Sequence, residues 1–420
     1  MKEKVNGDRG QGEGGLLFFM ERVRIFSHMR NALVIPALLL VLGACDSVEP
    51  AGPGPAPIPA PSGMITFGTA GKDTYGGLAV TQSGEILFAH NPTGWNQTAQ
   101  CLKIGAGGAV QWTTPIAESY YTVSVLSLAS GPDGKILLLT NSYSIWQLAS
   151  SGDTLWTREM ETTHYRQAIQ LRDGLCVLSY GGGDWWVDTT FRASLLCYDR
   201  AGDRTWRTAL LPFHSWTTIS CLVDVGDGTV LAGGETSAAD SPGALLVRLN
   251  PVTHQKTAFP IVNGERMEVI SMSEVRNGEF GILLKEGTGT GSQYAVRYIF
   301  MRWSVDGTLL HERLYGGRTP SSIAWTPDGG FAIAGNDASA VLTKTDGNGV
   351  VQWEYILSRP PWTGPHDAVF PYTITALRAV AQPDGGIVWG GTTDAFGSGL
   401  TDAWLMRLHA NGSVDSSFGR

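Results

Sequence analysis

The sequence predicts an all-β fold, a seven-bladed β-propeller of four-stranded antiparallel blades that spans residues 64–420. Three observations predict it. Short turn motifs recur along this region at nearly regular intervals, and a second series of turn motifs is interleaved with the first. A third observation is the glycine content, 54 of 420 residues, which without a collagen period indicates many tight turns between short strands.

The first series consists of Asp-Gly, Asn-Gly and similar turns between apolar runs. These dipeptides are strong hairpin signals, because both central turn positions can require a positive φ. The glycines of the series are Gly84, Gly134, Gly174, Gly228, Gly278, Gly329 and Gly385. Their successive spacings of 50, 40, 54, 50, 51 and 56 residues fit the length of a propeller blade.

The second series divides each unit again, so that each unit contains four short strands. It reads GAGGAVQW, SSGDTLW, RAGDRTW, SVDGTLL, DGNGVVQW and HANGSV, and blade 4 departs from it with PVTHQKT. In unit six the four strands are SSIAW, FAIAG, AVLTKT and VVQWEY. Four tryptophans recur on fourth strands, where packing between blades is favoured over sugar binding: Trp112, Trp156, Trp206 and Trp353.

The two ends of the folded region are predicted to meet in one blade. Residues Met64–Gly68 are in phase with the fourth strand of the other units. The N-terminal segment can therefore complete the last blade beside the C-terminus, which removes an open sheet edge.

Three segments give the repeat a family resemblance: Phe67–Gly71, Tyr315-Gly316-Gly317 and Val414–Gly419. Together with the Asp-Gly hairpins they resemble the delta-sixty type of propeller repeat and the similar FGG…DGG repeats of secreted lipoproteins. The resemblance is loose in blades 2, 3 and 4. It implies a propeller fold and says almost nothing about function.

Residues 1–45 are predicted to be an upstream segment followed by a signal peptide, with translation starting at Met29 or, alternatively, at Met20. An apolar run of about a dozen residues after Met29-Arg30-Asn31 is too short to span a bilayer and fits a signal peptide. The run ends in Leu42-Gly43-Ala44-Cys45, which resembles a lipobox.

That resemblance implies cleavage before Cys45 and lipidation of its thiol, which would anchor the chain to a membrane. The alternative is an ordinary signal peptide in which the cysteine is incidental. Residues 46–63 are rich in proline and are predicted to form an extended linker between the anchor and the propeller.

Composition excludes some classes of function. The formal net charge is −8 and the mature part contains no cluster of Lys or Arg, which argues against nucleic acid as a partner. Hydrophobic residues make up 43% of the chain and charged residues 16%, so the chain can build a large core and is not disordered.

The long loops of a propeller, those after the second and fourth strands of each blade, are expected to carry its binding residues. In this sequence they are rich in aromatic and polar residues, a set that includes Tyr165 and Arg166. Such groups suit a sugar ring or a protein partner, although packing of the loops onto the blades is an equal alternative. The predicted ligand-binding residues are Trp185, Trp186, Trp216, Trp362, Asp184, Asp188, His214 and His366.

Catalytic and metal-binding signals are weak. The sequence contains no H-E-x-x-H, G-x-S-x-G or P-loop motif, and no catalytic residue, cofactor or metal site is predicted. Asp184 and Asp188 could pair as acid and base, but nothing distinguishes them from other loop acids. Cys176 and Cys197 fall on neighbouring strands of blade 3 and could face each other in a disulfide.

These features favour a monomeric binding or interaction module, displayed on a bacterial cell-envelope membrane through its lipid and binding a glycan or a protein with its long-loop face. One alternative is a carbohydrate-active enzyme of the propeller type, a lyase or glycosidase, which would require carboxylates, His and Arg to converge at the channel mouth. Another alternative is a structural component of an envelope assembly, for which the edge surfaces of the propeller would matter more than the channel mouth.

Overall fold

All of the regular structure that can be described is β-strand. The computed structural model describes residues 60–69, 71–93, 98–117, 123–160, 165–172, 176–180, 194–210, 217–236, 243–259, 267–288, 295–316, 318–358, 373–397 and 400–420. These ranges contain the strands β1 to β28. Within them no helix is long and apolar enough to cross a bilayer.

The first four blades are each built from four consecutive strands. Blade 1 contains β2 (Lys72–Val80), β3 (Ile86–Thr93), β4 (Ala99–Ile104) and β5 (Val110–Ile116). Blade 2 contains β6 (Val125–Ser130), β7 (Ile136–Thr140), β8 (Ser144–Leu148) and β9 (Thr154–Glu159). Blade 3 contains β10 (Tyr165–Gln170), β11 (Cys176–Tyr180), β12 (Ser194–Tyr198) and β13 (Arg204–Ala209). Blade 4 contains β14 (Thr217–Asp224), β15 (Val230–Thr236), β16 (Gly243–Leu249) and β17 (Lys256–Ala258).

The remaining strands form three further sheets. Blade 5 contains β18 (Met267–Met272), β19 (Glu279–Thr288), β20 (Ala295–Ser304) and β21 (Leu309–Tyr315). Blade 6 contains β22 (Thr319–Trp325), β23 (Phe331–Asn336), β24 (Ala340–Thr345) and β25 (Val351–Leu357). Blade 7 contains β26 (Ile374–Ala381), β27 (Ile387–Thr393) and β28 (Asp402–Leu408), with β1 (Met64–Phe67) as its outer strand.

The all-β class and the four-stranded antiparallel blade are confirmed. The prediction of seven four-strand units is wrong in one respect, because only six sheets are built from four consecutive strands. The last unit supplies three strands, and its fourth comes from the other end of the chain. The protein is therefore an all-β propeller with six continuous blades and one composite blade.

The composite blade joins the two ends of the chain as predicted. β1 pairs with β28 in antiparallel register, with Met64 opposite Met406 and Phe67 opposite Ala403. Met64 is buried among the apolar side chains of blades 6 and 7. The inner strands of consecutive blades contact one another around the ring, including β26 with β2, and this last contact closes it.

Each inner strand, the first strand of its blade, contains a β-bulge at an equivalent position. A bulge places two residues opposite one on the neighbouring strand and increases the local bend and twist. The extra residues are Gly76, Leu126, Arg166, Ser220, Ile270, Ser321 and Leu377. We call these seven positions the bulge ring.

In four of the seven blades the residue after the bulge ties its blade to the next. Ser322 Oγ accepts a hydrogen bond of 2.9 Å from the Ala379 N–H of the following blade, and Gln167 Oε1 accepts one of 2.7 Å from the Leu222 N–H. Ser127 and Ser271 accept equivalent bonds from the next blade, at 3.3 Å each. Because these N–H groups are buried or half-buried, leaving one unpaired would cost about 1–3 kcal/mol.

The outer strands pack against the next blade through their tryptophans, as predicted. Trp112 Nε1 donates a hydrogen bond of 3.1 Å to the Ser150 carbonyl, in the third hairpin turn of the next blade. Trp156 and Trp353 donate to equivalent carbonyls, at 3.0 Å each. In blade 4 the turn has no glycine, and His254 takes the positive φ (59°) and lies 5.2 Å from the Trp206 ring.

A charged side chain on the third strand fastens the first hairpin turn in five blades. These pairs are Lys103–Glu85, Arg248–Asp227, Arg302–Glu279, Lys344–Asp328 and Arg407–Asp384. Arg248 and Arg302 also donate to carbonyl oxygens of the next blade, those of Val305 and Gly347. The face formed by these hairpin turns, which we call the hairpin face, therefore satisfies much of its own charge.

The suggested disulfide of blade 3 is wrong. Cys197 is a free, buried cysteine. The register of β11 and β12 places Val177 opposite Cys197, and Cys176 opposite Tyr198. Cys101 and Cys221 are also free and buried.

The pairing of β1 with β28 predicts that closure stabilises the whole ring. A fragment of residues 68–420 should unfold at a clearly lower temperature than one of residues 60–420. The free energy of unfolding of the shorter fragment should be lower by at least about 3 kcal/mol, because the buried Met64 side chain and one strand pairing are removed together. Thermal and urea unfolding would measure it, and equal stabilities of the two fragments would contradict a structural role for closure.

The contribution of the closed blade to stability should also fall in acid. Burial alone would raise the pKa of Asp415, but hydrogen bonds from Ser417 and Arg407 lower this pKa to about 2. Because the pKa of an unfolded Asp is about 3.9, this contribution to stability is complete above about pH 4 and is lost as the pH falls toward 2. Asp415→Asn should therefore flatten the dependence of melting temperature on pH between 2 and 5.

The exposed turn variant Asp153→Asn is the control for this prediction. Its carboxylate accepts a bond from the neighbouring Ser151 and contacts no other blade among the described residues. An acid dependence that is as steep in Asp415→Asn as in the unaltered protein would contradict the prediction.

Candidate binding channel

The seven inner strands surround a central cavity of about 650 Å³. The volume lies within the usual range for small-molecule pockets, about 300–1,000 Å³. Because all inner strands run in the same direction, the two ends of the cavity can be told apart. Every inner strand runs from the face of the long loops, which we call the loop face, toward the hairpin face. The position of a residue along its inner strand therefore gives its distance from the loop face of the channel.

Among the residues that line the cavity, those of the bulge ring lie nearest the loop face. Six of its seven residues line the cavity, all except Gly76. Leu126, Ile270 and Leu377 make part of the ring apolar, while Arg166, Ser220 and Ser321 make the rest polar. The channel is therefore a mixed surface at this level, with one cation in the ring itself.

Five charged residues line the described cavity: Arg166, Arg276, Arg378, Asp224 and Glu274. Glu274 Oε1 lies 3.3 Å from Arg276 Nη2, so these two form an ion pair. The Asp224 carboxylate accepts a hydrogen bond of 2.8 Å from the Gly226 N–H. These three residues come late on their strands or just after them, and so lie toward the hairpin face.

No histidine is among the described residues that line the channel. The described residues also contain no group of three or more His, Cys, Asp or Glu placed to hold a metal ion. The two lining acids already have partners. The described part of the channel therefore offers cations and hydrogen-bonding groups without a neighbouring acid–base pair.

A second group of titratable side chains lies between blades 7 and 1. Asp73 Oδ1 lies 3.5 Å from His90 Nδ1, and both residues are buried. The other Asp73 oxygen accepts bonds from the N–H and hydroxyl of Thr69, at 2.6 and 2.9 Å. Burial lowers the pKa of His90, and the Asp73 carboxylate acts in the opposite direction. Neither residue lines the channel. Because the Asp73 N–H donates a hydrogen bond of 2.6 Å to the Thr401 carbonyl of the last unit, we assign this pair to the closure of the ring.

All eight predicted ligand-binding residues lie outside the described residues, so their prediction stands as made. The order of the strands still shows which connection contains each of these residues. Trp185 and its neighbours fall between β11 and β12, whereas Trp216 falls between β13 and β14, and Trp362 between β25 and β26. These are second-to-third strand and blade-to-blade connections, which leave the blades at the loop face.

Two residues that the sequence suggested as loop residues are strand residues. Tyr165 begins β10 and is buried, and Arg166 is the bulge residue that follows it. The sequence interpretation missed Arg378 altogether. It lies in ALRAV, where alternation of apolar and polar residues would have identified an inner strand with an unusual charge.

The fold and its repeated units agree with two comparisons. A family model described as "Domain of unknown function (DUF5122) beta-propeller" matches residues 226–252 and 382–418, which lie in blades 4 and 7. This supports a β-propeller, but it does not confirm the delta-sixty repeat type. No curated protein matches the sequence.

Several solved propellers share the fold at low identity. The WD40 β-propeller domain of Doa1 is 12% identical with a TM-score of 0.53, over 84% of this chain and 98% of that one. The WD40 domain of Neurospora crassa Pan2 is 11% identical with a TM-score of 0.54, over 85% and 100%. The Dos1 propeller is 11% identical with a TM-score of 0.53, over 79% and 81%. At these identities the likeness shows the fold alone.

Proposed function

We propose that the protein is a non-catalytic binding module, anchored to an envelope membrane through a lipid on Cys45, which binds a glycan or a protein on its loop face. The observation that carries this proposal is the contrast between the two faces. The hairpin face uses its cations internally, in pairs such as Lys344–Asp328 at 2.8 Å. The loop face receives every connection that contains a predicted ligand residue.

A closed ring suits this role because it holds variable loops on a rigid support. The inner strands are tied to each other by hydrogen bonds at the bulge level, and the chain ends are tied by β1. Binding residues on such a support lose little conformational freedom when a ligand binds, which favours affinity.

A structural role in an envelope assembly has its own support. The outer strands β21 and β25 carry exposed apolar side chains, among them Leu314 (60% exposed) and Ile356 (48%). These strands are the open edges of blades 5 and 6. Edges of this kind can pair with another chain.

The loop-face proposal is tested by glycan-array binding of the soluble fragment of residues 62–420, followed by titration of any hit. If Trp185 or Trp186 is an anchor, its replacement by Ala should weaken binding about 30-fold, since a central aromatic anchor contributes about 2 kcal/mol or more. The melting temperature should change little.

The matched variant is Trp353→Ala, whose ring packs between blades 6 and 7. It should lower the melting temperature, by an amount typical of a lost buried contact, and leave the affinity of the folded fraction unchanged. If both Trp185→Ala and Trp186→Ala bind as tightly as the unaltered fragment, the predicted loop is not the site.

Lipid anchoring makes a separate prediction. Cys45→Ala in the full chain should move the protein from the membrane to the soluble fraction after a high-salt wash, because acyl chains would be its strong anchor. Metabolic labelling with a clickable fatty acid should mark the unaltered chain and not the variant. A variant that stays with the membrane, or an unaltered chain that takes no label, would refute the anchor.

A further inference from the structure

The channel contains two arginines that the ring does not use for its own stability. At the level after the bulge, four of the seven side chains accept a hydrogen bond from the next blade: Ser127, Gln167, Ser271 and Ser322. In blade 7 this position is Arg378. A guanidinium group has five donors and no acceptor, so it cannot serve that role.

Arg378 is half-buried and lines the cavity. It makes no ion pair with a carboxylate of the described residues. Because a guanidinium group has five donors, an acceptor from outside the chain is needed to complete its hydrogen bonding.

Arg166 occupies the bulge position of blade 3 and lines the same cavity. Its side chain is exposed to the channel and makes no ion pair within the described residues. Blades 3 and 7 are three and four steps apart around the closed ring. The two arginines therefore enter the channel from nearly opposite walls and at adjacent levels.

The acids of the channel lie elsewhere along its length. Asp224 and Glu274 each follow their bulge residue by four positions, which places them about 13 Å nearer the hairpin face at about 3.3 Å per residue. No described acidic residue lines the cavity at the level of Arg166 and Arg378. The channel thus has a cationic end in a protein with a net charge of −8.

We propose that the loop-face end of the channel binds a small anion with carboxylate or phosphate oxygens, held between Arg166 and Arg378. Guanidinium groups match the geometry of both oxygen sets and form strong, charge-assisted hydrogen bonds with them. A recessed position strengthens these interactions, because a low-dielectric wall focuses the field of the two charges. The proposal does not depend on any contact made by the long loops.

Isothermal titration of the fragment of residues 62–420 with inorganic phosphate, and separately with succinate, tests this site. At least one of the two anions should bind saturably at one site per chain. Arg166→Gln and Arg378→Gln should each weaken that binding at least tenfold. Tighter binding of phosphate or of succinate would show whether the site prefers phosphate or carboxylate oxygens.

The control is Arg313→Gln, which removes an exposed arginine from the outer strand β21 and should leave the affinity unchanged. If Arg378→Gln fails to fold, Arg166→Gln alone carries the test, because its side chain is exposed and contributes little to packing. Absence of saturable binding of both anions to the unaltered fragment would overturn the proposal. So would equal affinities in Arg166→Gln and the unaltered fragment, or an equal loss in Arg313→Gln.

Discussion

The bulge in each inner strand sets how neighbouring blades meet. Because two residues there oppose one, the strand bends, and in four blades the next side chain reaches the adjacent blade. Ser322, for example, meets the Ala379 N–H. Asn336 reinforces the same boundary, since its side chain accepts from the Ala376 N–H at 2.7 Å and donates to the Ala376 carbonyl at 2.9 Å. Contacts at the bulge level recur at four of the seven blade boundaries and hold together the inner strands that surround the channel.

Many charged side chains of the ring form ion pairs that hold its turns, and a few form none among the described residues. Cations on the third strands bind the hairpin turns of their own blade, and Arg248 and Arg302 also reach the next one. Arg166 and Arg378 break this pattern. Natural proteins tend to depart from their local rules at functional sites, so the two residues are where ligand recognition is best sought.

Much of the fold could be predicted from the sequence because its signals are local. Asp-Gly and Asn-Gly turns specify hairpins, and apolar alternation specifies strands that are buried between blades. The phase of Met64–Gly68 also predicted closure correctly, as the pairing of β1 with β28 shows. The composite nature of blade 7 follows from that same closure, since the last unit supplies three strands and β1 is the fourth.

The site was harder to predict because it depends on contacts between distant segments. The sequence around Arg378 indicates an inner strand, but the significance of this arginine appears only beside the acceptors at the same level of four other blades. Arg166 was taken for a loop residue because the bulge interrupts the alternation of β10. Cys176 and Cys197 do lie on neighbouring strands, but the strand register, which the sequence does not specify, sets Val177 opposite Cys197.

Native-state amide hydrogen exchange tests most directly whether the bulge-level contacts make the ring one cooperative unit. The amides of Ala168, Leu222, Ile323 and Ala379 donate across four different blade boundaries. If the account is right, all four should exchange only through global unfolding, with one free energy equal to that of equilibrium denaturation. Exchange of any one of them at a distinctly lower free energy would show blades opening separately, and would contradict it.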